Sequence, residues 1–83
     1  MDLPDDRLET RKRIRTQAPS TPGIYGYFDS HGRLNYVGKS KCLRNRLLSY
    51  FSRNPPDDKM SRIVQHSRFL RWEPVSHELL ALI

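Results

Sequence analysis

Tyr25, Tyr36, Lys39, Arg46 and Tyr50 are the residues of this chain whose types and spacing invite chemistry. The first two sit in runs rich in aromatic and β-branched residues, Gly23 to Phe28 and Arg33 to Gly38, on either side of the polar stretch Asp29-Ser30-His31-Gly32. Such a pattern reads as a β-hairpin. With a four-residue loop, Phe28 faces Arg33 and Tyr25 faces Tyr36, so two phenols stand side by side on one face. Ile24, Phe28 and Val37 then make the opposite, packed side. On the helix that follows, Arg46 and Tyr50 are i and i+4 neighbours, which brings a guanidinium against a phenol at the rim of an apolar stripe. Paired tyrosines also arise from packing alone, and the residues by themselves leave that open.

Charge narrows the choice of partner. The chain has 83 residues, with 15 Lys+Arg against 9 Asp+Glu, a formal charge of +6. From Ser30 to Pro56 there is no acidic residue, while Arg33, Lys39, Lys41, Arg44, Arg46 and Arg53 all fall in that window. A basic face made by one segment favours a polyanion, because each neutralised phosphate releases counterions. A solvated face is the alternative. At 9.8 kDa the chain supports one domain with one modest core, since a chain this short buries only about 60% of the surface its unfolded form exposes. No apolar run reaches the length of a membrane span and the start lacks a secretory signal, so the expectation is a cytoplasmic protein without a membrane partner. The single Cys42 excludes an internal disulfide, and His31, His66 and His77 show no zinc-ligand spacing.

The elements that must position these residues follow from caps and periodicity. Residues 1–20 read as a leader rather than core, with a possible short helix from Asp5 to about Thr16; its basic end, Arg11-Lys12-Arg13-Ile14-Arg15, is either a nucleic-acid arm or a solvated helix end. Residues 21–83 form the domain. After the hairpin, Ser40 caps a helix from Lys41 to about Arg53, whose Leu43, Leu47, Leu48 and Phe51 make the apolar stripe. Lys41 and Arg44 lie on the flank away from Arg46. A further helix runs from Asp57 to about His66 with Met60, Ile63 and Val64 buried, a strand covers Phe69 to Val75, and Ser76 caps a last helix. Gly38-Lys39-Ser40 imitates the end of a phosphate-binding loop, but Arg33 stands where the first glycine belongs. His77-Glu78 imitates a zinc-protease helix, but Ala81 stands where the second histidine belongs.

Gly23-Ile24-Tyr25, ten intervening residues, Tyr36-Val37-Gly38-Lys39, and a helix with Asn45-Arg46 and Ser49-Tyr50-Phe51 together resemble the GIY-YIG nuclease family. The likeness is strongest to the branch formed by the N-terminal nuclease domains of the bacterial ABC excinuclease and their short homologues. It covers Pro22 to Phe51 in firm register and runs more loosely to Ile83. It implies an α/β (α+β) fold, a small three-stranded antiparallel sheet flanked by helices. The implied activity is metal-dependent nicking of DNA in nucleotide excision repair, with one divalent ion, Mg²⁺ or Mn²⁺, and with other excision-repair proteins as partners.

Carried over by position, Tyr25 and Tyr36 match the motif tyrosines, one of which helps deprotonate the attacking water. Lys39 matches the active-site lysine, Arg46 the arginine that steadies the phosphate, and Tyr50 the aromatic position one turn later. Arg46 and the metal answer the charge that grows on the leaving oxygen, and a phenol with a lowered pKa can accept a water proton. Lys39 and the metal are the groups expected to lower it. Arg33, Lys41, Arg44 and Arg53 are the expected DNA-binding cations. The family's metal ligand is a glutamate about four residues after an alanine; Ala81-Leu82-Ile83 begins that pattern, the ligand is expected beyond Ile83, and Glu78 is a poorer candidate a turn too early. A DNA-binding module of the same fold with an incomplete metal site, and a structural basic domain for protein or RNA, are the rival expectations.

Overall fold

The computed structural model describes residues 7–51 and 58–83. In chain order the elements are α1 (Arg7–Gln17), β1 (Gly23–Phe28), β2 (Leu34–Ser40), α2 (Leu43–Ser49), α3 (Asp58–Gln65), β3 (Phe69–Pro74) and α4 (His77–Leu82). The three strands form one antiparallel sheet in the order β2-β1-β3. The fold class is the expected one. Among the described residues no helix is long and apolar enough to cross a membrane.

The hairpin exists, in a different register. Asp29 accepts backbone hydrogen bonds at Oδ1 from His31 and Arg33, both at 2.9 Å, and Gly32 takes a φ of +80°, so the turn closes around Asp29 and Arg33 rather than beyond Phe28. Phe28 pairs with Leu34, the ladder shifts between Tyr27 and Phe28, and Tyr27 pairs with Tyr36 and Tyr25 with Gly38. Asn35 is the extra residue of this bulge, and its amide reaches Ser67 Oγ at 3.2 Å. A shift of two residues keeps the parity of the strand. Tyr25 and Tyr36 therefore still share a face, as diagonal rather than directly opposed neighbours.

The packed side is the reverse of the expected one. Tyr25, Tyr27, Leu70 and the partly buried Tyr36 and Trp72 face Ile14, Ala18, Leu43, Leu47, Tyr50, Phe51 and Val64 in the core. Val37, expected inside, is 58% exposed, and Ile24 and Phe28 are half-buried. The cause is the placement of both helices on the tyrosine face. Leu43 N–H donates to Thr21 O and Arg44 N–H to Pro19 O, which locks the start of α2 against the end of α1. Aromatic rings then bury more area against those helices than Ile or Val would. On the uncovered side Ile24, Phe28, Leu34 and Val37 line an open hollow of about 590 Å³.

Three further expectations are corrected. Residues 1–20 are not merely a leader, since Thr10, Ile14 and Ala18, at i, i+4 and i+8, are buried in the core. Cys42, in extended conformation, is the N-cap of α2 and makes no side-chain cap bond. Ser40 cannot cap the helix because its hydroxyl is engaged one step earlier, accepting from Cys42 N–H at 3.0 Å and donating to Cys42 O at 2.9 Å. The helix ends at Ser49, short of Arg53. Ser76 does cap α4, its hydroxyl accepting from Leu79 N–H at 3.1 Å. Arg53 and the packing of Met60 lie outside the described residues and side chains.

Candidate active site

Three tyrosines from three elements converge under the sheet. Tyr25 comes from β1, Tyr36 from β2 and Tyr50 from the residue that ends α2. The hydroxyls of Tyr25 and Tyr50 are 2.5 Å apart and share a hydrogen bond. The Tyr25 ring lies 6.2 Å from Tyr36 and 5.9 Å from Tyr50, centroid to centroid. Gly38, directly across the ladder from Tyr25, makes room for this: a Cβ there would lie 2.5 Å from Tyr25 Cζ and Oη. Arg46 is close enough to the Tyr50 phenol to pull its pKa down, so the i, i+4 pairing of a guanidinium with a phenol holds.

Tyr27 is a member of this cluster that the sequence reading missed. It stands edge-on to Tyr25 (82°, 6.2 Å) and to Tyr50 (81°, 5.8 Å), and pairs with Tyr36 across the strands. Its two-residue offset from Tyr25, on the same strand face, was the available clue. The hydroxyl is buried and has no hydrogen-bond partner among the described residues. Such an orphan costs free energy. Tyr27→Phe keeps both edge contacts and removes it, so urea unfolding is expected to show a gain of about 1 kcal/mol; an equal loss would mean that the hydroxyl has a partner after all.

Burial governs the titration of the phenols. Loss of water pushes Tyr25 up, and its hydrogen bond to Tyr50 pushes it further; Tyr50 is also raised, by burial first, while Arg46 pulls both down by less. Tyr27 is raised well above its usual range by burial. In the protein alone, burial therefore outweighs Arg46 at both Tyr25 and Tyr50. All three hold their protons at neutral pH; one of Tyr25 and Tyr50 donates to the other, and Tyr27 donates to none of the described residues. In the unfolded chain phenols titrate near pH 10, so above that pH the unfolded state binds fewer protons and stability falls as pH rises; below it the contribution is complete. Denaturation midpoints should begin to drop near pH 10 and go on dropping as the pH rises further, less steeply in Tyr25→Phe.

Beside the cluster opens a cleft of about 710 Å³ between the end of β2, the start of α2 and α4. Lys39, Lys41, Asn45, Arg46, Ser49 and His77 line it. No carboxylate lines it among the described residues, and none of those residues form a group of three or more His, Cys, Asp or Glu. The lining suits a phosphate and does not by itself fit a divalent ion. Glu78 is exposed on the first turn of α4, outside this lining.

The other expected cations separate. Lys39 Nζ donates to the carbonyls of Leu80 at 3.5 Å and Ile83 at 3.3 Å, so it ties β2 to α4 rather than sitting on a phenol. Lys41, expected on the flank away from Arg46, instead lines the same cleft. Arg44, on the far flank of α2, donates from Nε to Ala18 O at 2.9 Å, and so has a neighbour that the sequence did not reveal. Arg33 belongs to the opposite end of the hairpin, where its Nε lies 3.4 Å from Asp29 Oδ2. It does not join the cleft. His77, Asn45 and Ser49 do, and nothing in their spacing alone announced it.

Comparison with known proteins places this geometry. A family model described as the UvrC-like GIY-YIG domain matches residues 21–83. UvrABC system protein C of Paenarthrobacter aurescens is 44% identical over 68 residues, covering 80% of this chain and 10% of that protein. The protein of the same name from Wolinella succinogenes is 39% identical over 83 residues, covering 92% of this chain and 13% of that protein. The chain thus spans about a tenth of the length of these relatives. Among solved structures, the GIY-YIG N-terminal endonuclease domain of UvrC from Thermotoga maritima, bound to magnesium as its catalytic divalent cation, superimposes with a TM-score of 0.75 and 35% identity, covering 96% of this chain and 82% of that one. A point mutant of that domain bound to its catalytic divalent cation gives 0.76 and 32%.

Proposed function

From the premise that this chain belongs to the UvrC-like GIY-YIG domain family, we propose that it is the DNA-nicking module of a bacterial nucleotide-excision repair protein. On this reading it works in the cytoplasm beside other excision-repair proteins. One observation carries the proposal: Arg46 lines a cationic cleft close enough to the Tyr50 phenol to lower its pKa, Tyr50 is hydrogen-bonded to Tyr25, and Tyr25 packs on Tyr36.

Arg46 holds a nonbridging phosphate oxygen by its planar fork, and Lys41 adds charge from the lip of the cleft. The guanidinium then meets the negative charge that develops in the transition state. Tyr25 and Tyr50 are protonated and joined, so one O–H is used within the pair and one is left to donate toward the phosphate. Tyr36, only half-buried, is the phenol placed to orient water. In the Thermotoga maritima domain a catalytic divalent cation, magnesium, is bound; for this family member we assign the same requirement, the ion supplying charge neutralisation and an activated water. The described residues lining the cleft offer it no carboxylate, so no step is built on it here.

Supercoiled plasmid incubated with the full chain and Mg²⁺ or Mn²⁺ should convert to the open circle, and EDTA should prevent this. Binding without conversion under either ion would overturn hydrolysis and leave a DNA-binding module of the same fold.

A further inference from the structure

The structure assigns to α1 a second DNA-contacting surface, a basic ridge of Arg11, Lys12 and Arg15 ending at Arg44, that holds duplex flanking the cleft. The inference rests on the DNA reading of the cleft. Helix α1 precedes the segment that the family model matches, which begins at residue 21. It is nevertheless a fixed part of the domain, because Ile14 and Ala18 are fully buried and the start of α2 is hydrogen-bonded to the segment that follows it.

Around the helix, at 3.6 residues per turn, Arg11, Arg15 and Lys12 occupy one sector roughly 100° wide. Glu9 borders the ridge next to Lys12, and its carboxylate is 3.6 Å from Arg13 Nε, so the one acidic residue of α1 is matched by a cation outside the ridge. Lys12 and Arg15 are exposed. Arg11 is half-buried, and its Nε is enclosed with no hydrogen-bond partner among the described residues. The enclosed Nε is out of reach of an incoming anion, so Arg11 adds charge to the ridge while the exposed Lys12 and Arg15 make the contacts.

Arg44 extends the ridge. Its bond to Ala18 O places the guanidinium at the C-terminal end of α1, beside the turn that carries Arg15. The opposite flank of α2 presents Arg46 to the cleft. One helix, about 10–12 Å across, separates the two basic surfaces, and a single turn of duplex, about 34 Å long, reaches both. The helix dipole would explain Arg15 alone, since it favours cations in the last turn, but not Lys12 or Arg11. An acidic protein is the less suitable partner. The described residues of the ridge include no aromatic or aliphatic anchor of the kind that carries protein interfaces.

The test is fluorescence anisotropy of the full chain on a duplex of about 30 base pairs across a KCl series. Each phosphate contact contributes about 0.9 to the slope of log K against log salt, so Lys12→Ala/Arg15→Ala should lower the slope by about 1.8. Both side chains are exposed, and thermal melting should be unchanged, which separates lost contacts from lost fold. Arg46→Ala reports on the cleft independently. A slope that falls with Arg46→Ala but not with the double variant overturns the ridge, leaves the cleft standing and returns α1 to an acidic protein partner. A wild-type slope near zero overturns both.

Discussion

Replacing Arg46 with alanine will lower the nicking rate by about 10²–10³-fold, the loss seen when one preorganised donor to a developing negative charge is removed. The fold will hardly notice. Arg46 is exposed and its guanidinium contributes to the cleft rather than to the core, so stability should stay within about 0.5 kcal/mol. Arg46→Lys keeps the charge and loses the planar fork, and should recover only part of the rate. A second readout follows from the closeness of Arg46 to the phenols. Arg46 holds the phenols of Tyr25 and Tyr50 below where burial alone would put them, so its removal should shift both titrations further up. Carbon-13 resonances of the tyrosine ring carbons follow this directly. An Arg46→Ala chain that nicks at the parent rate would remove the arginine from the mechanism.

Adding a side chain at Gly38 is expected to damage both the fold and the site. The Cβ of an alanine would lie 2.5 Å from Tyr25 Cζ and Oη, and that ring is pinned by its bond to Tyr50, so it has to swing and the phenol pair has to part. Overpacking of this kind costs about 1–3 kcal/mol. Activity should fall further than the loss of stability explains, because the displaced ring belongs to the cluster under the cleft. Gly32→Ala is the control. Nothing lies within 4 Å of a Cβ there, and only the positive φ resists it, at about 1 kcal/mol, with activity kept. If Gly38→Ala unfolds no more easily than Gly32→Ala, the close approach of the Tyr25 ring is not what the glycine is for.

How far the residues foretold this arrangement depends on the range of the interactions. Periodicity gave the hairpin, the apolar stripe of α2 and the Ser76 cap, because each is decided within a few residues. Parity also survived: Tyr25 and Tyr36 share a face although the turn closes two residues away from the expected pairing, since the bulge at Asn35 restores the alternation. The packed side was not legible. It depends on the backbone bonds from Leu43 to Thr21 and from Arg44 to Pro19, contacts across more than twenty residues that no local pattern reports. The same tie hid Arg44, which reads as a free surface charge until the end of α1 is brought beneath it. Tyr27 was missed because an aromatic residue on a strand looks the same whether its ring fills a core or clamps two others. Lys39 was recognised as part of the site by resemblance, whereas its bonds to the carbonyls of α4 require the last helix to fold back on β2.

The strand order β2-β1-β3 has one more consequence. Because β1 is flanked on both sides, its backbone amides alternate between two ladders and are all withdrawn from solvent, whereas β2 and β3 each keep an open edge. In hydrogen–deuterium exchange the amides of Tyr25 and Tyr27 should outlast those of Tyr36 and Lys39, and open only with global unfolding. The floor that carries the first motif tyrosine is thus the slowest part of the molecule to breathe, and the edge strand that carries Lys39 opens before it.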